Sequence, residues 1–131
     1  MLIKNFLILN EEFIKSFSDL MTLKMPAKQC LEVSSCIDDI LAQHQIVVRA
    51  RRSIVDKYCS KDEDGMPIAD EAGNLIFETP DLQKKCMAEI KEILDEEIDL
   101  ALSEKIKIPW NELMTPVQMK LLKDIVEISE K

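Results

Sequence analysis

MPAKQCLEVSSCIDDILAQHQIVVRARRSIVDKYC, residues 25–59, is the stretch that decides the fold. Pro26 opens it, no glycine interrupts it, and the next proline is Pro67, so it reads as one helix. At about 1.5 Å per residue that helix is roughly 50 Å long. In a chain of 131 residues, most of the remaining sequence has to pack along it. Written in sevens, one seam carries Ala27, Ser34, Leu41, Val48 and Val55, and the seam three residues on carries Cys30, Ile37, His44, Arg51 and Tyr58. A flanking row holds Val33, Ile40, Val47 and Ile54. Three rows predict a broader buried face than a two-stranded coiled coil uses. His44 and Arg51 interrupt the second seam, and all three arginines of the protein, Arg49, Arg51 and Arg52, fall within four residues. Arginines near a helix C-terminus complement its dipole and can snorkel from an apolar stripe; they also form a small cationic patch for a partner.

Upstream, residues 1–9 (MLIKNFLIL) suit a short strand, with helix as the competing reading. Asn10 is placed to cap a helix over 11–23, with Glu11 and Glu12 in its first turn and Phe13, Phe17, Leu20 and Met21 at helical spacing.

Downstream the composition changes sharply. Residues 60–79 hold both glycines of the protein, Gly65 and Gly73. Two short apolar runs, 66–69 and 75–77, flank Asp70-Glu71-Ala72-Gly73-Asn74, which is the pattern of a β-hairpin. Thr79-Pro80-Asp81 then starts a helix to about Asp95, with Leu82, Cys86, Ile90, Ile93 and Leu94 on its apolar face and Glu89, Glu92, Asp95 and Glu96 on the other. This helix is expected to turn back along the long one as an antiparallel helical hairpin with the acidic β-hairpin at its tip. From Glu97 the apolar period becomes two: Ile98, Leu100 and Leu102, then Ile106, Ile108 and Trp110. The natural partner for this strand is the N-terminal one. Thr115-Pro116 repeats the helix start, and Val117, Leu121, Leu122, Ile125 and Ile128 predict a final amphipathic helix. No internal repeat beyond this reuse of Thr-Pro stands out. The expected architecture is one α+β domain over residues 1–131: a long central helix in a helical hairpin, a small β-sheet and a C-terminal helix.

Composition supports this. Apolar residues make up 47% and aromatics only 5%, so the core is Leu, Ile, Val and Met, and two glycines disfavour a barrel or sandwich. No segment approaches the ~20 apolar residues of a membrane span. Residues 1–9 lack the long apolar core of a signal peptide, which points to the cytoplasm. Cys30, Cys36, Cys59 and Cys86 form no C-x-x-C pair, so they read as reduced thiols and not as a zinc site.

The net charge of -8 is unevenly spread. Residues 1–59 carry eight basic and seven acidic side chains; residues 60–131 carry nine and eighteen. An acidic half repels phosphate backbones and suits a basic partner surface. With no aromatic ladder beside the arginines, direct nucleic-acid binding is not expected.

Catalytic patterns are sparse. The two glycines are too far apart for a phosphate loop, and no Gly-x-Ser-x-Gly elbow is present. His44 is the single histidine, and no cysteine stands three or four residues from it. Asp62-x-Asp64 is followed by Met66-Pro67 where a calcium loop needs further ligands. No cofactor and no resident metal is expected.

In order and local wording the chain resembles a family of small proteins of tailed phages and prophages. The resemblance rests on the apolar start MLIKNFLIL, on Leu23-Lys24-Met25-Pro26-Ala27-Lys28 opening the long helix, and on Lys57-Tyr58-Cys59-Ser60-Lys61-Asp62-Glu63-Asp64-Gly65 closing it. The acidic hairpin, the acidic helix, the Glu/Asp-alternating strand and the helix after Thr115-Pro116 complete it. The four cysteines depart from that family. The resemblance implies phage origin and an accessory role, and supplies no active site.

The leading expectation is therefore a non-catalytic protein-binding protein. In its sharper form it inhibits a host nucleic-acid-handling or defence complex, a nuclease of CRISPR type included, through its acidic half. The candidate contact residues are Arg49, Arg51, Arg52, Asp62, Glu63, Asp64, Asp70, Glu71, Glu89, Glu92, Asp95 and Glu96, with Glu97 and Asp99 continuing the acidic run. The alternatives are a virion structural or assembly factor, and a small metal-dependent enzyme using Asp62 or Asp64.

Overall fold

The computed structural model describes residues 1–129. The elements run β1 (Leu2–Lys4), α1 (Asn5–Ile8), α2 (Glu11–Asp19), a 3-10 turn (Leu20–Thr22), α3 (Ala27–Tyr58), α4 (Pro80–Asp95), β2 (Glu97–Asp99), β3 (Ile106–Pro109), α5 (Pro116–Leu122) and β4 (Val126–Ser129). The protein is α+β with a long central helix, as its sequence indicates.

Local chemistry accounts for most helix starts. Asn10 Oδ1 accepts from the amides of Glu12 and Phe13 and caps α2, while Thr79 Oγ1 accepts from Leu82 N ahead of Pro80 and caps α4. Thr115 and Gln118 form a full capping box on α5. Pro26 stands just before α3, and its carbonyl accepts from Cys30 N.

The chain forms two compact units: residues 1–44 with 97–131, and residues 45–96. The first holds the large core. Phe13, Phe17 and Leu20 from α2 and its extension meet Val33, Cys36, Ile37 and Ile40 of α3, and Ile106, Ile108, Leu122 and Ile125 close the other side. Phe13 and Phe17 are fully buried, their rings tilted at 51° with centroids 6.1 Å apart. Buried Asn5 accepts from Gln43 Nε2 at 3.1 Å.

Four expectations are corrected. The N-terminal strand ends at Lys4, and residues 5–8 are helical. The strand after α4 is broken in two: β2 pairs antiparallel with β1, as expected, but β3 pairs in parallel with β4. There are accordingly two two-stranded sheets instead of one. The last helix stops at Leu122, and residues 126–129 are β4; Val126 and Ile128 are β-branched and find a ladder partner in β3. Finally, the row Ala27, Ser34 and Leu41 is exposed, and burial follows Val33, Ile40 and Val47 with Cys36 and Ile37. The heptad arithmetic finds stripes but not which stripe is covered.

The second unit is built from the end of α3, residues 59–79 and α4. Glu89 reaches Tyr58, and Cys86, one turn earlier, lies near Cys59. Rising numbers on α4 meet falling or level numbers at the end of α3, so the pair is antiparallel, as expected. Its buried side chains are only Val47, Cys59 and Cys86.

Candidate functional site

All twelve candidate residues fall in the second unit. Five of them, Asp62, Glu63, Asp64, Asp70 and Glu71, occupy two successive turns with the same construction. In the first, Asp62 Oδ1 accepts from the amides of Asp64 and Met66 at 2.9 Å each. Gly65 N donates to Asp62 O, and Asp62 N donates to Met66 O. In the second, Asp70 Oδ1 accepts from Ala72 N at 3.0 Å and Asn74 N at 2.9 Å. Gly73 N donates to Asp70 O, and Asp70 N to Asn74 O. The glycines sit at φ 79° and 84°, the left-handed region that these turns need at their fourth residue. Bridges from Lys61 to Pro67 and from Ala69 to Leu75 close the two turns.

The second turn and its flanking runs match the expected hairpin. The first turn, and the equivalence of the two, add to it. KDEDGMPI (61–68) and ADEAGNLI (69–76) are one eight-residue repeat sharing Asp, Glu, Gly and Ile. The residues that precede or end each copy are tied in a ring: Ser60 N donates to Ile76 O, Ile76 N to Ile68 O, and Ile68 N to Ser60 O. This ring satisfies three backbone pairs without a sheet and braces both turns at their roots.

The brace carries almost no apolar core. Residues 61–79 include no buried side chain; Pro67, Ile68 and Phe77 are half-buried. The five carboxylates are exposed, and none of the ion pairs among the described residues involves them. Asp62 and Asp70 each spend one oxygen on their own turn, and Glu63, Asp64 and Glu71 are exposed. Among the described residues no group of three His, Cys, Asp or Glu is arranged to hold a metal ion.

The remaining candidates lie on the helices. Arg49, Arg51 and Arg52 are exposed on α3, and Glu92, Asp95 and Glu96 are exposed at the end of α4. Glu89 is engaged within the unit: Tyr58 Oη donates to Glu89 Oε1 at 2.8 Å, and Lys57 Nζ at 3.3 Å. Lys57 also lies 4.9 Å from the Tyr58 ring centre. The Tyr58 hydrogen bond, helped by Lys57, holds the Glu89 carboxyl below its ordinary range, and bonds to Tyr58 and Glu89 raise Lys57. Tyr58 was legible only as a seam residue; its hydroxyl role depends on α4 and has no local signal. Glu97 and Asp99 belong to the first unit, where Asp99 receives the Met1 ammonium at 2.7 Å. His44 is half-buried in that same unit.

The larger clefts contain none of these twelve residues. One, of about 340 Å³, is bordered by Ile3, Phe6, Leu121 and Ile125; another, of about 310 Å³, by Lys24, Lys28, Glu32 and Lys107. No helix among the described residues is long and apolar enough to cross a membrane. The chain matches no known protein family, no curated protein and no solved structure.

Proposed function

We propose that the chain is a non-catalytic accessory protein, phage-encoded and acting in the host cytoplasm, that binds a basic protein surface through its tandem turns. The target class is a host nucleic-acid-handling or defence complex, such as a nuclease of CRISPR type, whose phosphate-binding channel the carboxylates occupy. The observation that carries this reading is the braced pair of turns: five exposed carboxylates, without ion-pair partners among the described residues, on a segment with no core of its own. A segment that buries so little and fixes so many backbone groups is organised for presentation. Fixing the carboxylates in advance lowers the ordering cost of binding.

The test is capture of the target from infected host cells by the tagged protein, with the same target then purified and titrated. Electrostatic binding weakens steeply as salt shortens the screening length from about 10 Å at 0.1 M. Replacing Asp62, Asp64 and Asp70 by Asn, with Glu63 and Glu71 by Gln, keeps the turn acceptors and removes the charge. Loss of binding with intact turns is the expected result. Binding that ignores both salt and these substitutions sinks the proposal.

A further inference from the structure

Residues 45–96 bury three side chains, Val47, Cys59 and Cys86, and two of these are thiols. Cys59 is the first residue past α3, and its amide donates to Val55 O at 2.8 Å. Cys86 lies on the apolar face of α4. The two helices are tied by Tyr58 Oη, which donates to Glu89 Oε1 at 2.8 Å. Cys59 follows Tyr58 directly, and Cys86 stands three residues before Glu89, about 4.5 Å along the helix axis. In an antiparallel pair, a step forward on α3 and a step back on α4 run the same way. Both thiols therefore lie on the same side of the Tyr58–Glu89 contact, toward the tandem turns. They are close enough that a charge on Cys59 opposes ionisation of Cys86. The pair also brackets the turns. The ring of Ser60, Ile68 and Ile76 begins one residue after Cys59, and residues 61–79 bury no side chain of their own. The other two cysteines stand apart in the first unit, Cys30 exposed near the start of α3 and Cys36 within the large core.

We infer that Cys59 and Cys86 are a redox-active pair, and that their disulfide closes the loop carrying the tandem turns. The oxidant is a small disulfide such as glutathione disulfide. The thiolate of Cys59, the less buried of the two, attacks it and expels one glutathione thiolate, leaving a mixed disulfide on Cys59. Cys86 Sγ, deprotonated, then attacks Cys59 Sγ, forms the protein disulfide and expels the second glutathione thiolate. Two electrons pass from the protein to the oxidant, and the two thiol protons end on two glutathione molecules. Excess glutathione runs the same steps backwards. The sparse burial of the unit favours this chemistry, because local opening gives the oxidant access to thiols that a large core would shield. Once formed, the bond constrains the opened chain over residues 59–86, and loop-closure entropy for that length disfavours opening by up to about 400-fold. Oxidation thus stiffens the segment that presents the carboxylates, whatever partner they meet.

The test is to equilibrate the full chain in glutathione buffers of rising disulfide content, quench with acid and map the cysteines by mass spectrometry. The expected product has lost two hydrogens and carries one bond, between Cys59 and Cys86, with Cys36 still a thiol and Cys30 carrying at most a mixed disulfide. In that product the slowest-exchanging amides of α4 slow further, by up to about 400-fold, and recover on reduction. The amide of Phe17, in the other unit, is unaffected. Cys59→Ser and Cys86→Ser each abolish the bond, whereas Cys30→Ser leaves it. Phenylarsine oxide, which bridges two neighbouring thiols with loss of water, probes the wild-type chain without substitution: one arsenic per chain protects Cys59 and Cys86 together from alkylation. The inference is overturned if Cys59 and Cys86 stay unbonded once Cys30 is fully converted, or if they take up separate glutathiones. A bond between any other pair overturns it too, as does a Cys59–Cys86 bond that leaves the α4 amides exchanging as before.

Discussion

Replacing Gly73 by alanine isolates what the left-handed turn contributes. Gly73 sits at φ 84°, and a Cβ built there meets nothing within 4 Å, so the cost is backbone strain alone. For an L-residue that strain is about 1–2 kcal/mol, a factor of roughly 5–30 in a local opening equilibrium. The turn is tied to its neighbours by the amides of Asp70, Asn74 and Ile76, which donate to Asn74 O, Asp70 Oδ1 and Ile68 O. Native-state hydrogen exchange by NMR should therefore show those three amides accelerating by about that factor. The amide of Phe17, in the other unit, should not change. Gly73→Asn should cost less, since Asn tolerates the left-handed region. Gly65→Ala should match Gly73→Ala in size, because its φ of 79° and its surroundings are the same. If alanine leaves the three amides unchanged, or if the two glycines respond unequally, the reasoning that makes the turns equivalent local units fails.

Other outcomes follow from features of each unit. Phe17→Ala should cost about 3–5 kcal/mol in urea unfolding, and a double-mutant cycle with Phe13 should return a coupling of about 0.5–1.5 kcal/mol. Tyr58→Phe should let the Glu89 carboxyl rise toward its ordinary value of 4.5, followed by carbon NMR. Because Glu89 is depressed in the folded state, its stabilising effect is present above that ordinary value and is lost as pH falls through the folded value. Lys57 works in the opposite sense: it is raised, so its effect holds below 10.5 and is lost as pH rises through its folded value. Burial pushes up the thiols of Cys36 and Cys86, so a thiol reagent should modify exposed Cys30 quickly and those two only as fast as the protein opens.

Legibility followed locality. The caps at Asn10, Thr79 and Thr115 were readable because a cap is settled within four residues. The span of α3 was readable because nothing in it breaks a helix. The β1–β2 pairing could be guessed from complementary patterns, but β4 could not. Leu121, Leu122, Ile125 and Ile128 keep helical spacing, and only the parallel ladder with β3 takes Val126 and Ile128 out of it. The acidic residues of the site were readable as a composition change. Their arrangement was not, because the repeat is carried by Asp, Gly and backbone geometry while Met66-Pro67 and Asn74-Leu75 disguise it. The uneven burial of α3 depends on what other elements cover, which no period in its own sequence records.

The pairing of β1 with β2 has a consequence for synthesis. Leu2 lies opposite Asp99, so β1 has no partner until residues 97–99 have left the ribosome. Residues 45–96, contiguous in sequence, are complete before the strand that follows them emerges. The larger core, by contrast, must keep Phe13, Phe17 and Leu20 waiting for Ile106, Leu122 and Ile125. Translation therefore completes the sparsely buried unit before the well-buried one, and a nascent chain stalled before residue 97 would carry Phe13 and Phe17 covered by α3 on one side and lacking Ile106, Leu122 and Ile125 on the other, an incomplete core for chaperones to find.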